Sequence, residues 1–196
     1  VDADEAVVRG AAAASNAVSE KMAEQGHAPA RIGAAAKEAA LGSGLDVDVA
    51  AVHGAAAASK AVSEQMSERG HAPARIGAAS RDAALAAGLD VDDAAVHGAA
   101  AASKAVAENM AEQGHAPTRI GEAAKEAALG AGFVPDNAAV HGANAASKAV
   151  AESMAEQGHA PARMGKAAKA AALAAGLDTD EAVSHGASAA SKAVSD

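Results

Sequence analysis

Hydrophobic, small and polar positions recur along the chain with a period of 44 residues. Glycines are in register from unit to unit, as at Gly54 and Gly98, and so are the methionines Met66 and Met110. Four full units precede a half unit that we interpret as a terminal cap, with bounds 1–44, 45–88, 89–132, 133–176 and 177–196. A fixed period of this length predicts one structural unit copied along a single domain, 1–196.

Each unit has the pattern of two helices of unequal length. In the second unit a helical pattern runs without a breaker from Asp48 to Arg69, and Gly70 is placed to adopt the left-handed conformation that ends a helix. Pro73 then begins a shorter helix that extends to Ala87. An aspartate N-cap is predicted at the start of each long helix, at Asp4, Asp48, Asp92, Asp136 and Asp180.

At 100° per residue the long helix has three faces. The core face of the second unit is expected to contain Val52, Ala55, Ser59, Val62 and Met66. The second face, the outer polar stripe, consists in the inner repeats of His53, Lys60, Glu64, His97, Lys104, Glu108, His141, Lys148 and Glu152. The third, the small-residue face, consists of Ala50, Gly54, Ala58, Ala61, Ala94, Gly98, Ala102, Ala105, Ala138, Gly142, Ala146 and Ala149.

The short helix carries large apolar side chains on two sides, at Ile76 and Leu85. A helix of this kind needs two neighbours, and stacked helix pairs supply them because each unit completes its core against the next. At the chain ends polar residues replace the usual ones, as at Ser184 and Arg9. We therefore predict an all-α solenoid of helix-turn-helix repeats, each with a long and a short helix, giving about nine helices.

Composition and charge exclude several classes of partner. The formal net charge is -9, which argues against binding to a phosphate backbone. Only 1% of residues are aromatic, so few side chains could stack on bases. A nucleic-acid partner is therefore not expected. No stretch approaches the ~20 apolar residues that span a bilayer, so no membrane partner is expected. The absence of cysteine excludes disulfides and thiolate metal sites.

Eight histidines occur in two registers, four on long helices (His53, His97, His141, His185) and four in turns (His27, His71, His115, His159). Neither register has the spacing of metal ligands, and an ion shared by His53 and His97 is a third-ranked hypothesis. The ring of His71 is predicted to cap or shield the N-terminus of the short helix. Arg75 lies in the first turn of that helix, where the dipole disfavours a cation. Glu68 is its predicted partner, in a clamp that fixes the angle between the two helices, and an anion site is the alternative.

No catalytic constellation emerges from the sequence. Ser59 lies on the core face and His53 lies far round the helix, so the spacing brings no nucleophile and base together. Asp46 and Asp48 lack the glycine and glutamate of a calcium loop. Every polar group recurs in four or five copies, whereas an active site is one constellation in one pocket. We expect a protein that is not an enzyme and needs no cofactor.

Two functions remain, and the choice between them depends on whether the small-residue face is buried or exposed. If that face is internal, the expected function is a structural or protein-interaction scaffold that binds a partner protein through the outer polar stripe or a groove. If it is exposed, its regular spacing suits a periodic ligand such as ice. The alanine-rich composition is similar to that of helical antifreeze proteins, a resemblance that implies ice binding by this face. Their regularly spaced threonines are missing, since only Thr118 and Thr179 occur, and the period is 44.

Overall fold

A computed structural model describes residues 3–195, and within them the regular structure is entirely helical. The helices are α1 (Ala3–Glu24), α2 (Pro29–Gly42), α3 (Val47–Glu68), α4 (Pro73–Ala86), α5 (Val91–Glu112), α6 (Pro117–Gly130), α7 (Pro135–Glu156), α8 (Pro161–Ala175) and α9 (Thr179–Ser195). Long and short helices alternate, and each packs on the next helix and on the next but one. The predicted all-α solenoid is confirmed.

The alternation produces two layers and two edges. Long helices form one layer and short helices the other, and the short connections make successive helices antiparallel. The turn edge is the row of long-to-short connections, 25–28, 69–72, 113–116 and 157–160. The acidic edge is the row of short-to-long connections, 43–46, 87–90, 131–134 and 176–178. No helix in the described part of the chain is long and apolar enough to cross a membrane.

Glycine ends the long helices as predicted. Gly70 has a φ of 71°, and the N–H of His71 donates to the carbonyl of Met66 at 3.0 Å. These are features of the left-handed helix stop, which satisfies carbonyls left free in the last turn. Gly88 has a φ of 102° and occupies the corresponding place after the short helix.

The N-caps lie two residues earlier than predicted. Asp46, rather than Asp48, accepts the backbone N–H groups of Asp48 and Val49 at 3.1 and 3.0 Å. Asp90 and Asp178 do the same for α5 and α9, in place of the predicted Asp92 and Asp180. The motif Asp-x-Asp contains two candidate caps, and the helix begins directly after the first because Val47 already has helical conformation.

The prediction fails differently at α7. Its cap position holds Val134, which makes no side-chain hydrogen bond, and Pro135 is the first helical residue. The predicted cap Asp136 therefore lies inside the first turn, where its charge still suits the helix dipole. The prediction at Asp4 concerns a side chain outside the described part of the structure.

The core is a stack of alanines with a few larger groups between the layers. Ile76, Val62 and Ser59 are buried as predicted, and Met66 is half-buried. The Ser59 hydroxyl donates to the carbonyl of Ser80 on the short helix at 3.0 Å. Serines at the same position repeat this bond in the other full units, namely Ser15 to Ala36, Ser103 to Ala124 and Ser147 to Ala168.

Val52 departs from the prediction, because 47% of it is exposed. The buried residues of α3 include Ser59 and Ser63, which lie at nearly the same angle round the helix as Val52 but further along it. The exposure of Val52 therefore reflects its place near the start of α3, not its face. The equivalents Val8, Val96 and Val140 are exposed in the same way. The second turns of the long helices therefore present a valine to solvent in each full unit.

Candidate binding grooves at the turn edge

The small-residue face lies inside the solenoid. Every one of its twelve predicted residues in the inner repeats is buried. In α1 the same face is exposed, as at Gly10, and no short helix of the described structure packs against it. The small-residue face is therefore internal in the inner repeats. A periodic ligand such as ice would have no access to it there.

The partner of this face is a short helix rather than the neighbouring long helix. A Cβ on Gly54 would fall 2.6 Å from the backbone nitrogen of Lys37, on α2. Gly98 and Gly142 meet α4 and α6 in the same way. A second row of glycines joins successive short helices, since a Cβ on Gly77 would overlap the carbonyl of Ala127. Glycine and alanine therefore bring the layers into backbone contact.

The outer polar stripe is at the surface but is largely self-neutralised. Its lysines and glutamates pair along each helix, with Nζ to Oε1 distances of 4.0 Å for Lys60 and Glu64 and 3.5 Å for Lys104 and Glu108. Lys148 and Glu152 pair at 4.0 Å. Burial raises the pKa of the Glu64 carboxyl, although Lys60 and Lys104 lower it. These exposed pairs contribute little stability, and they leave few free charges for a partner.

The stripe histidines His53, His97 and His141 are half-buried. His141 packs edge-on against the ring of Phe133, with centroids 4.7 Å apart, and burial lowers the pKa of its imidazole. No group of three or more His, Cys, Asp or Glu side chains that could hold a metal occurs within the described residues. The structure therefore gives no support to the histidine-array hypothesis.

Two predicted contacts of the turns are absent among the described residues. The cap position of α4 is Ala72, which makes no side-chain cap hydrogen bond, so the capping alternative for His71 is wrong. Among the ion pairs of the described residues, none involves Arg75 or Glu68. Glu68 lies on the far side of the left-handed turn at Gly70, and both side chains of the predicted pair point to solvent.

Arg75 and its equivalents line a row of three grooves, together with the turn histidines. One groove lies between each two successive repeats, and the volumes are about 290, 370 and 540 Å³ from the first to the third. The first is floored by Ile32, Val62 and Met66. In the other grooves the corresponding floor residues are Ile76, Val106, Met110, Ile120, Val150 and Met154.

The rim of each groove carries the turn histidines of two successive repeats and the first-turn arginine of the second. The full set is His27, His71 and Arg75, then His71, His115 and Arg119, then His115, His159 and Arg163. His71 and His115 each border two grooves, so the row is continuous. Arg69 adds a cation to the first groove and Lys166 to the third, whereas Glu122 and Glu126 line the middle one.

The grooves have an apolar floor and an arginine at each rim, on a protein that is acidic as a whole. The first and third grooves carry a second cation, whereas the middle groove has two glutamates beside its arginine. Each short helix has an arginine and no acidic residue in its first turn, and in α6 Glu122 follows in the next turn. An arginine without an ion-pair partner retains its charge for a ligand. The arginine without an acidic neighbour in each first turn is the signal in the sequence that could have indicated this surface.

Comparison of the chain with family models, with curated proteins and with solved structures finds no match in any of the three. The class of the protein therefore follows from its geometry: it is an all-α helical-repeat solenoid, with a row of grooves along one edge.

Proposed function

We propose that the protein is a non-catalytic scaffold that binds an extended segment of a partner protein along the turn edge. The observation that carries the proposal is the row of three grooves built from the same residues in each repeat. The outer polar stripe is a weaker candidate, because its lysines and glutamates already pair with each other.

The chemistry of the grooves defines the segment. Floors of isoleucine, valine and methionine favour apolar side chains, which gain free energy when they leave water. Rims of arginine and histidine favour carboxylates, and arginine can bind a carboxylate through two parallel hydrogen bonds. A segment in which acidic and apolar residues alternate every one or two positions can contact both the apolar floors and the rims.

The spacing of the repeats defines its length. Helices pack at about 8–10 Å, so successive grooves are separated by about that distance. An extended chain advances about 3.3 Å per residue, and therefore about three residues pass from one groove to the next. A segment of about nine residues fills all three grooves. Binding at three linked sites multiplies weak contacts into a usable affinity.

The test uses a fluorescein-labelled peptide of three Glu-Leu-Ser units, with binding followed by fluorescence anisotropy. The variant Arg75→Gln with Arg119→Gln and Arg163→Gln removes one cation from each groove. Exposed charge pairs contribute about 0.2–1 kcal/mol each, so we expect affinity to fall about tenfold.

The matched control removes the same charge from the other face, through Lys60→Gln with Lys104→Gln and Lys148→Gln. It should bind the peptide as the unmodified protein does. A peptide with serine in place of leucine should bind much more weakly. Equal weakening by both triple variants would show that only overall charge attracts the peptide, and the proposal would then fail.

A further inference from the structure

The acidic edge departs from its repeat at one place, the start of α7. The third unit has Leu89, Asp90 and Val91 there, whereas the fourth has Phe133, Val134 and Pro135. Phe133 is the only aromatic residue of the chain. The exchange replaces a capping aspartate with a valine that is 60% exposed.

The loss of the capping aspartate works against stability. Loss of an N-cap side chain costs about 1 kcal/mol, and α7 shows no side-chain bond that replaces it. The exposed Val134 brings no compensating hydrogen bond. Departures from local rules of this kind are expected where a surface has a function.

The exchange creates an apolar cleft between the first turns of α5 and α7. Its volume is about 550 Å³, and its apolar walls are Val96, Phe133, Val134 and Val140. Val96 and Val140 come from the regular row of exposed valines, and the fourth unit alone adds Phe133 and Val134. The Phe133 ring is held by its edge-on contact with His141.

The surroundings of the cleft are acidic. Asp92 lines it, and Asp93 and Asp136 are exposed next to its lining residues in the chain. Arg81 is the neighbouring cation, with its guanidinium beside Gly132 at the C-terminal end of α6. Burial lowers the pKa of His141, which disfavours the charged form of this imidazole. The net charge around the apolar walls is therefore negative.

We propose that this cleft is a second binding site, which takes a bulky apolar side chain from a basic segment of a partner protein. Apolar walls bind the anchor, and the flanking aspartates attract lysines or arginines on both sides of it. The site lies at the edge opposite the three grooves and has the opposite charge preference, so the two surfaces select different segments.

The test uses a labelled peptide, Lys-Lys-Ser-Leu-Leu-Ser-Lys-Lys, and the variant Phe133→Leu with Val134→Asp and Pro135→Val. This variant restores the sequence of the third unit, including its N-cap, so it should fold with at least the original thermal stability. It also adds a negative charge, which on its own would strengthen binding of a basic peptide. We expect binding to weaken about tenfold or more, since a charged side chain replaces the Val134 wall and a smaller one replaces the Phe133 ring.

A second variant, Val140→Ser, removes one apolar wall without changing charge and should also weaken binding. A peptide with serine in place of both leucines should bind weakly to the unmodified protein, and no more weakly to the restored variant. Equal affinity of the leucine peptide for the unmodified and restored proteins would overturn the proposal. Sedimentation supplies the other overturning result: a dimer that becomes a monomer on restoration would show that a second copy of the chain occupies the cleft.

Discussion

The same substitution, glycine to alanine, should have opposite effects at two equivalent positions of the repeat. Gly10 and Gly54 occupy the same place in the first and second long helices. A Cβ on Gly10 would meet nothing within 4 Å, whereas one on Gly54 would lie 2.6 Å from the backbone nitrogen of Lys37 and 2.8 Å from its Cα. Gly10→Ala and Gly54→Ala therefore compare the same substitution without and with a short helix packed against the glycine.

The two effects can be estimated separately. Alanine is favoured over glycine inside a helix by about 1 kcal/mol, so Gly10→Ala should stabilise the protein by about that amount. At Gly54 the same gain is opposed by overpacking, which costs about 1–3 kcal/mol in a well-packed core. The cost should be at the upper end, because both contacting atoms belong to the backbone and cannot rotate away. We expect a net loss of about 1–2 kcal/mol.

Thermal unfolding followed by far-ultraviolet circular dichroism measures the difference. For a chain of this size 1 kcal/mol corresponds to a shift in Tm of roughly 2–4 °C. Gly10→Ala should raise the Tm by about that much, and Gly54→Ala should lower it by roughly 2–8 °C. Urea unfolding at constant temperature checks that Gly10→Ala is also the more stable of the two variants without heating.

The result that refutes this reasoning is a shift of the same sign for both variants. If Gly54→Ala were as stabilising as Gly10→Ala, α3 and α2 would not be in backbone contact. The small-residue face would then be accessible, and the periodic-ligand hypothesis would regain its surface.

Two further predictions concern the acidic edge. Val134→Asp should restore the missing cap of α7 and raise the free energy of unfolding by about 1 kcal/mol, whereas Asp90→Ala should lower it by a similar amount, both measured by urea unfolding; no change in either would contradict the assigned caps. Because the pKa of folded His141 is lowered by burial, its protonation favours the unfolded state, so stability should fall as pH decreases through 6.5. His141→Gln should reduce that dependence, and an unchanged pH profile of Tm would show that the ring is not desolvated.

Much of the fold could be predicted because it depends on strong local signals. Gly70 ends a long helix and Pro73 begins a short one through local conformation alone, whatever the helices pack against. The 44-residue period repeats both signals in each unit. The internal position of Ala50 and Gly54 could only be offered as one of two alternatives. Small side chains are equally compatible with close packing and with a flat exposed face, and only the position of the preceding short helix decides between them.

Other features depend on geometry that a helical wheel does not contain. The wheel places Val52 on the core face, at nearly the same angle as the buried Ser59 and Ser63, but it lies near the start of α3 and is exposed. Arg75 and Glu68 are close in sequence, yet the left-handed turn between them directs them apart. The grooves combine Ile32 of one repeat with Met66 and His71 of the next, so they exist only once the units have stacked.

The most direct test of the proposed function is the dependence of affinity on peptide length. Labelled peptides of one, two, three and four Glu-Leu-Ser units would be titrated against the protein by fluorescence anisotropy. If each unit occupies one groove, affinity should rise by about a hundredfold from one unit to three and then level off at four, with one peptide bound per chain. Affinity that does not change with length, or that keeps rising at four units, would contradict binding in a row of three grooves.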